Sequence, residues 1–173
     1  MSFLSKFLGT SSSAANSEDP KSVQVILEKL HPLSDEKARE LASFAYVLGR
    51  VANADAEITP EEVQSIRSVL EDKGGLSFGQ AELVAEIAVT EARKMGGTQD
   101  YLVTRQLQSM VSRERRRDML DCLIAVAAAD GVIVPSEEDE LKQIARQLGF
   151  QTPEFLEALS KYRAYRSVLK GMG

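Results

Sequence analysis

The segment VANADAEITPEEVQSI, residues 51–66, returns 75 positions later as VAAADGVIVPSEEDEL, residues 126–141. Laid one on the other, Leu48 meets Leu123, Val51 meets Val126, Asp55 meets Asp130, Ile58 meets Ile133, Pro60 meets Pro135 and Glu62 meets Glu137. In each copy an apolar helical stripe runs into an aspartate, and a proline followed by acids opens the next helix. Two copies in a chain of 173 residues predict two halves of one domain related by a pseudo-two-fold. A solenoid would need roughly three or more stacked units.

The rest of the chain alternates helix-period stretches with helix punctuation and shows no convincing strand. Asp19-Pro20 reads as the cap and first residue of a helix to about Leu30, broken by His31-Pro32-Leu33. Ser34 begins a long helix through Asn53, with Leu41, Phe44, Ala45, Leu48 and Val51 on one stripe. Thr59 to Glu62 and Ser77 to Gln80 have the form of capping boxes, and Gly74-Gly75 and Gly96-Gly97 stop the helices they open. Thr98 opens a helix that yields near Ser112 to one ending at Asp130. Pro135 starts another, closed by Gly149, and Thr152-Pro153 begins the last, reaching about Leu169.

The expected fold is therefore all-α, a single compact domain of seven to eight helices over residues 19–173. Ahead of it, residues 1–8 place Phe3, Leu4, Phe7 and Leu8 on one short helical face, and GTSSSAANSE, residues 9–18, reads as a flexible linker.

Composition narrows the function class. The 43% hydrophobic and 27% charged residues are those of a soluble globular protein. A formal charge of −5 argues against a nucleic-acid binder, which carries a basic footprint. The single cysteine, Cys122, precludes an internal disulfide and fits a reducing cytosol. The single histidine, His31, sits in a proline-containing link, so the serines have no base to activate them, and no glycine-rich phosphate loop occurs. No enzymatic activity is expected. No apolar run approaches the ~20 residues that cross a bilayer. A cytoplasmic location follows, with weak membrane contact through residues 1–8 as the most that segment can supply.

The repeat carries the candidate site. Asp55 lies four and seven residues after Val51 and Leu48, and Asp130 stands likewise after Val126 and Leu123. Glu62 precedes Ile66 and Val69 by the same intervals, and Glu137 precedes Leu141 and Ile144. All four acids thus extend core-facing stripes, where an ionised carboxylate needs a partner. Asp55 and Asp130 also stand at helix C-termini, the wrong end of the macrodipole for an anion. Two compensators fit. Each acid can accept backbone N–H groups of its own turn or helix start, although Val134 replaces the cap hydroxyl in the second copy. Alternatively an all-oxygen site formed by Asp55, Glu62, Asp130 and Glu137 can hold Ca2+, Mg2+ or Mn2+. An EF-hand is excluded, because the front of each loop is continuous helix: counted back from Asp130, its first ligand positions fall on Val126 and Ala128.

Two A-D-x-x-I-x-P-x-E segments, allowing for Ala56 and Gly131 after the aspartates, each joining two helices of a small all-α chain, resemble the TerB family, named for bacterial tellurite resistance and related to the N-terminal domain of DjlA-type co-chaperones. The similarity covers roughly residues 20 to 170. It implies a helical fold with internal pseudo-symmetry, an acidic surface that binds a divalent cation, and a scaffold or sensor role in stress response with protein partners, a membrane-associated complex among them. The metal-free alternative is a co-chaperone-like interaction module whose acidic turns are structural. The first copy departs from the family in having Ala56 where glycine is usual, and the second has Val132 where the first has Glu57. His31-Pro32-Leu33 is not a J-domain signature.

Two basic stretches remain. Arg113 to Arg117, RERRR, opens a helix, where positive charge is unfavourable. It reads as a solvated face balanced by Glu114 and Asp118, with an anionic partner as the alternative. KYRAYRSVLK, residues 161–170, reads as the end of a last helix covering the core.

Overall fold

The computed structural model describes residues 34–52, 60–92 and 98–166. They form seven helices: α1 Asp35–Ala52, α2 Pro60–Asp72, α3 Phe78–Ala92, α4 Thr98–Met110, α5 Arg113–Ala127, α6 Pro135–Gln147 and α7 Thr152–Ser160. A 3-10 turn, Arg163–Tyr165, follows, and there is no strand among the described residues. The fold is all-α, as the periodicity predicts. The amphipathic segment and linker at 1–18, the helix opening at Asp19-Pro20, His31, the Thr59 cap and Asp55 lie outside the described residues.

Helix α1 is the centre. Its residues 41–49 are all buried, and it packs against α3, α4, α5 and α6. Helix α2 lies on α3 and α5, and α7 on α5 and α6. Phe44, Leu41 and Leu48 on α1 and Phe155 on α7 are among the largest fully buried side chains. Each such side chain stabilises the fold by ~1.5–3 kcal/mol relative to exposure.

The local punctuation works as its chemistry requires. Ser77 Oγ accepts the Gln80 N–H at 3.4 Å while Gln80 Oε1 accepts the Ser77 N–H at 3.1 Å, a reciprocal cap for α3. Ser112 Oγ accepts the Arg115 N–H at 3.2 Å and separates α4 from α5. At the end of α6, Gly149 has φ +88°, and the Phe150 and Gly149 N–H groups return to the Ala145 and Arg146 carbonyls at 2.9 and 3.0 Å. Only a residue tolerant of the left-handed region closes a helix this way.

Three expectations need correction. Helix α5 ends at Ala127, not Asp130, and residues 128–130 already turn. Helix α7 ends at Ser160, not near Leu169. There the Tyr162 N–H reaches only to Leu159 O and the Tyr165 N–H to Tyr162 O, so the chain tightens and leaves the helix axis. The arginines of RERRR are cross-links, not a face balanced by Glu114 and Asp118. Arg113 pairs with Glu154 and lies 5.2 Å over the Phe150 ring. Arg115 joins Glu40 at 2.8 Å and the Gly74 carbonyl at 3.1 Å, and Arg116 reaches the Leu148 carbonyl at 2.5 Å. Arg117 stands between Asp121 and Glu157. Gly74 and Leu148 end α2 and α6, where a cation meets the negative end of the macrodipole. The cost of positive charge at the start of α5 is offset at its neighbours' C-termini.

Candidate functional site at the second acidic elbow

The second motif copy is an elbow between α5 and α6 in which four consecutive backbone N–H groups find acceptors. Gly131, at φ +92°, donates to Ala128 O at 3.0 Å. Val132 donates to Asp130 Oδ1 at 2.9 Å. Ile133 donates to Tyr165 O at 2.7 Å, and Val134 donates to Glu137 Oε2 at 2.9 Å. Pro135 carries no N–H and opens α6. The motif thereby has a backbone explanation. The aspartate holds the turn, the isoleucine anchors the core at 0% exposure, and the glutamate caps the next helix.

Of the four acids expected to form a site, two can be placed. Glu137 is buried at 8% exposure on the core-facing stripe and accepts the Val134 N–H, although Val134 has no hydroxyl to complete the box. Asp130 is exposed. The stripe through Leu123 and Val126 does not carry it inward, because the 3.6-residue period stops with the helix at Ala127. Glu62 lies in the first turn of α2, but its side chain, like Asp55, is outside the described residues. Among the described residues no three Asp, Glu, His or Cys side chains converge as an ion cage requires.

The elbow has a further pair that the sequence does not announce. Arg166, just past the 3-10 turn, forks onto Glu138, with Nε at 2.8 Å and Nη2 at 2.5 Å from the two carboxylate oxygens. Both side chains are largely shielded, at 22% and 18% exposure. The pair lies beside the parallel bridge between Ile133 and Arg166, so residues 162–166 cross the elbow as a strap.

A second polar cluster ties α1 to α4 and α6. The Arg50 side chain is 5% exposed. Its Nε donates to Glu140 Oε1 at 2.7 Å, and its Nη1 donates to Thr104 Oγ1 at 3.1 Å and Gln147 Oε1 at 2.9 Å. Asp100 stands 3.8 Å from Nε and accepts the Tyr46 hydroxyl. Burial, with the Asp100 bond second, pushes the Tyr46 phenol well above its usual range. One signal for this cluster is present in the sequence: Arg50 interrupts a helix whose flanking residues are apolar on every side, and a charge so placed must be paired. Cys122 is fully buried, and burial pushes its thiol up to about 12, so it is packing and not a nucleophile.

With the second elbow described, the comparison with known families is decisive. The model of the tellurite resistance protein TerB family matches residues 40–160, which take in both motif copies. The chain belongs to the TerB family. Among curated proteins, this TerB domain is 32% identical over 144 residues to the co-chaperone protein DjlA of Aliivibrio fischeri, covering 80% of the chain and 49% of that protein. It is 32% identical over 124 residues to DjlA of Vibrio parahaemolyticus, covering 71% of the chain and 43% of the relative. DjlA of Vibrio cholerae is 28% identical over 148 residues, 82% and 50% of the two chains. The chain spans about half the length of these relatives. No solved structure matches the TerB domain described here. No helix of the described residues is long and apolar enough to cross a membrane.

Proposed function

We propose that this chain is a co-chaperone-like protein-interaction module that serves a bacterial stress response through partner proteins and performs no covalent chemistry. The observation that carries the reading is the self-satisfied elbow. Asp130 and Glu137 each hold a backbone N–H of their own turn, so the motif acids act as scaffold. The co-chaperone relatives support a role exercised on other proteins. Tyr101 and Leu102, 49% and 58% exposed on α4 beside Arg105, supply the aromatic, apolar and arginine chemistry from which interface hot spots are made. A cytoplasmic setting, with residues 1–8 adding weak contact to a membrane-associated complex, belongs to the same proposal. The test is co-purification of the intact chain from its own cells beside Leu102→Asp. A chaperone-system protein retained by the wild type and lost from the variant is expected, and recovery of none overturns the reading.

A second reading rests on the exposure of Asp130, which engages one of its two carboxylate oxygens with Val132. A carboxylate so placed can still ligate a hard cation. Asp130 with Asp55, Glu62 and Glu137 would hold Ca2+, Mg2+ or Mn2+ as a sensor input. Glu137 is the least suited, being buried and committed to its cap. Calorimetric titration of the wild type and of Asp55→Ala/Asp130→Ala separates the readings. Heat that vanishes in the variant establishes the cation, and silence in both removes it.

A further inference from the structure

The elbow supplies three of its four N–H acceptors from its own residues or the end of α5; the acceptor for Ile133 comes from 32 positions away, at Tyr165. Glu138, five residues past Ile133, is likewise engaged from that distant segment by Arg166. One outward N–H and one carboxylate therefore form a two-point receptor. It accepts a backbone carbonyl followed at once by an arginine.

The strap that fills this receptor is lightly attached. None of the residues of the 3-10 turn is buried, and Tyr165 is 41% exposed. Among the described residues it is held to the elbow by the Ile133 bond and the forked Arg166–Glu138 pair, while the half-buried ring of Tyr162 packs against the core. A short, shallow segment fixed by one backbone bond and one charged fork resembles a bound peptide more than a core element.

We propose that the Ile133–Glu138 edge of the second elbow is a docking site for a partner protein's extended segment bearing an aromatic residue followed by arginine, and that residues 162–166 are its built-in competitor. The occupant's chemistry follows from the one already seated. The carbonyl after an aromatic side chain meets Ile133, and a guanidinium, which forks onto a carboxylate as an ammonium does not, meets Glu138. In the first copy Val63 stands where Glu138 does, so the receptor belongs to the second elbow. This site deepens the interaction-module reading and rests on it.

The test uses the full chain and a labelled, C-terminally amidated peptide of sequence SKYRAYR, residues 160–166. In Arg166→Glu the strap is repelled by Glu138. The Ile133 amide should then exchange with solvent at least about tenfold faster than in wild type, while core amides such as Leu123 keep their protection. The peptide should bind this variant at least about tenfold more tightly than wild type, and Glu138→Arg added to it should abolish binding. An Ile133 amide still protected in Arg166→Glu, equal peptide affinity for the two proteins, or binding indifferent to Glu138→Arg each overturns the proposal. Dimerisation of Arg166→Glu seen by sedimentation, in place of peptide binding, would assign the edge to a second copy and overturn it too. A partner found by co-purification survives failure of this site, so the two proposals fall separately.

Discussion

The Tyr46 hydroxyl donates to Asp100 Oδ1 at 2.5 Å, joining the middle of α1 to the start of α4 across 54 positions of sequence. Tyr46 is 1% exposed, and ionising it would both strand a phenolate in the core and remove the donated proton. The folded-state value is raised, so the unfolded chain releases this proton first as pH rises. The stabilisation is fully present below the ordinary tyrosine range near pH ~10 and is lost as pH climbs through and beyond it. Urea midpoints measured from pH 8 upward should fall more steeply for wild type than for Tyr46→Phe.

Arg50 should be the costliest single charge to remove. Arg50→Met leaves Asp100 and Glu140 facing each other without their guanidinium and deprives Thr104 and Gln147 of a donor. Removing one partner of such a shielded network costs about 3–5 kcal/mol, while replacing the set with apolar residues recovers much of it. Chemical denaturation of Arg50→Met beside Arg50→Met/Asp100→Leu/Glu140→Leu checks both halves of that expectation.

Gly131→Ala isolates backbone strain at the elbow. A Cβ there would meet nothing within 4 Å, so the +92° φ alone sets the penalty. A loss of about 1–2 kcal/mol is expected from denaturation curves. Ala56 occupies the matching place in the first copy, a residue type that adopts positive φ far less readily than glycine.

Cys122 should be silent to thiol reagents in the native protein. It is fully buried with its thiol raised to about 12, so little thiolate forms and none is reachable. Labelling at pH 8 should follow the rate of unfolding, and rapid labelling without denaturant would show that α5 opens locally.

What could be read in advance was whatever a few neighbouring residues decide. The Ser77–Gln80 box, Pro135 at the start of α6 and Gly149 at its end are each local contests between backbone donors and nearby side chains. Glu137 as a cap is only half legible, because Val134 stands where the hydroxyl of a full capping box belongs. The stripe through Leu123 and Val126 predicts Asp130 inside, but the helical period stops at Ala127. Tyr162, Tyr165 and Leu169 keep helical spacing, yet the helix ends at Ser160. That spacing does not reveal the pull of Ile133 and Glu138 on the segment. The arginines of RERRR find Glu154, Glu40 and the Gly74 and Leu148 carbonyls tens of residues away, and no local pattern names such partners.

The Arg50 cluster has a consequence for the duplication itself. At the positions matching Tyr46 and Arg50 the second copy carries Asp121 and Ala125, a carboxylate and a methyl group. A chimera in which the second unit was spliced in place of the first would present Asp100 and Glu140 with alanine and add another negative charge. The two sequence copies are therefore not interchangeable parts: the first brings the arginine that ties α1 to α4 and α6, and the second brings the turn that residues 162–166 cross.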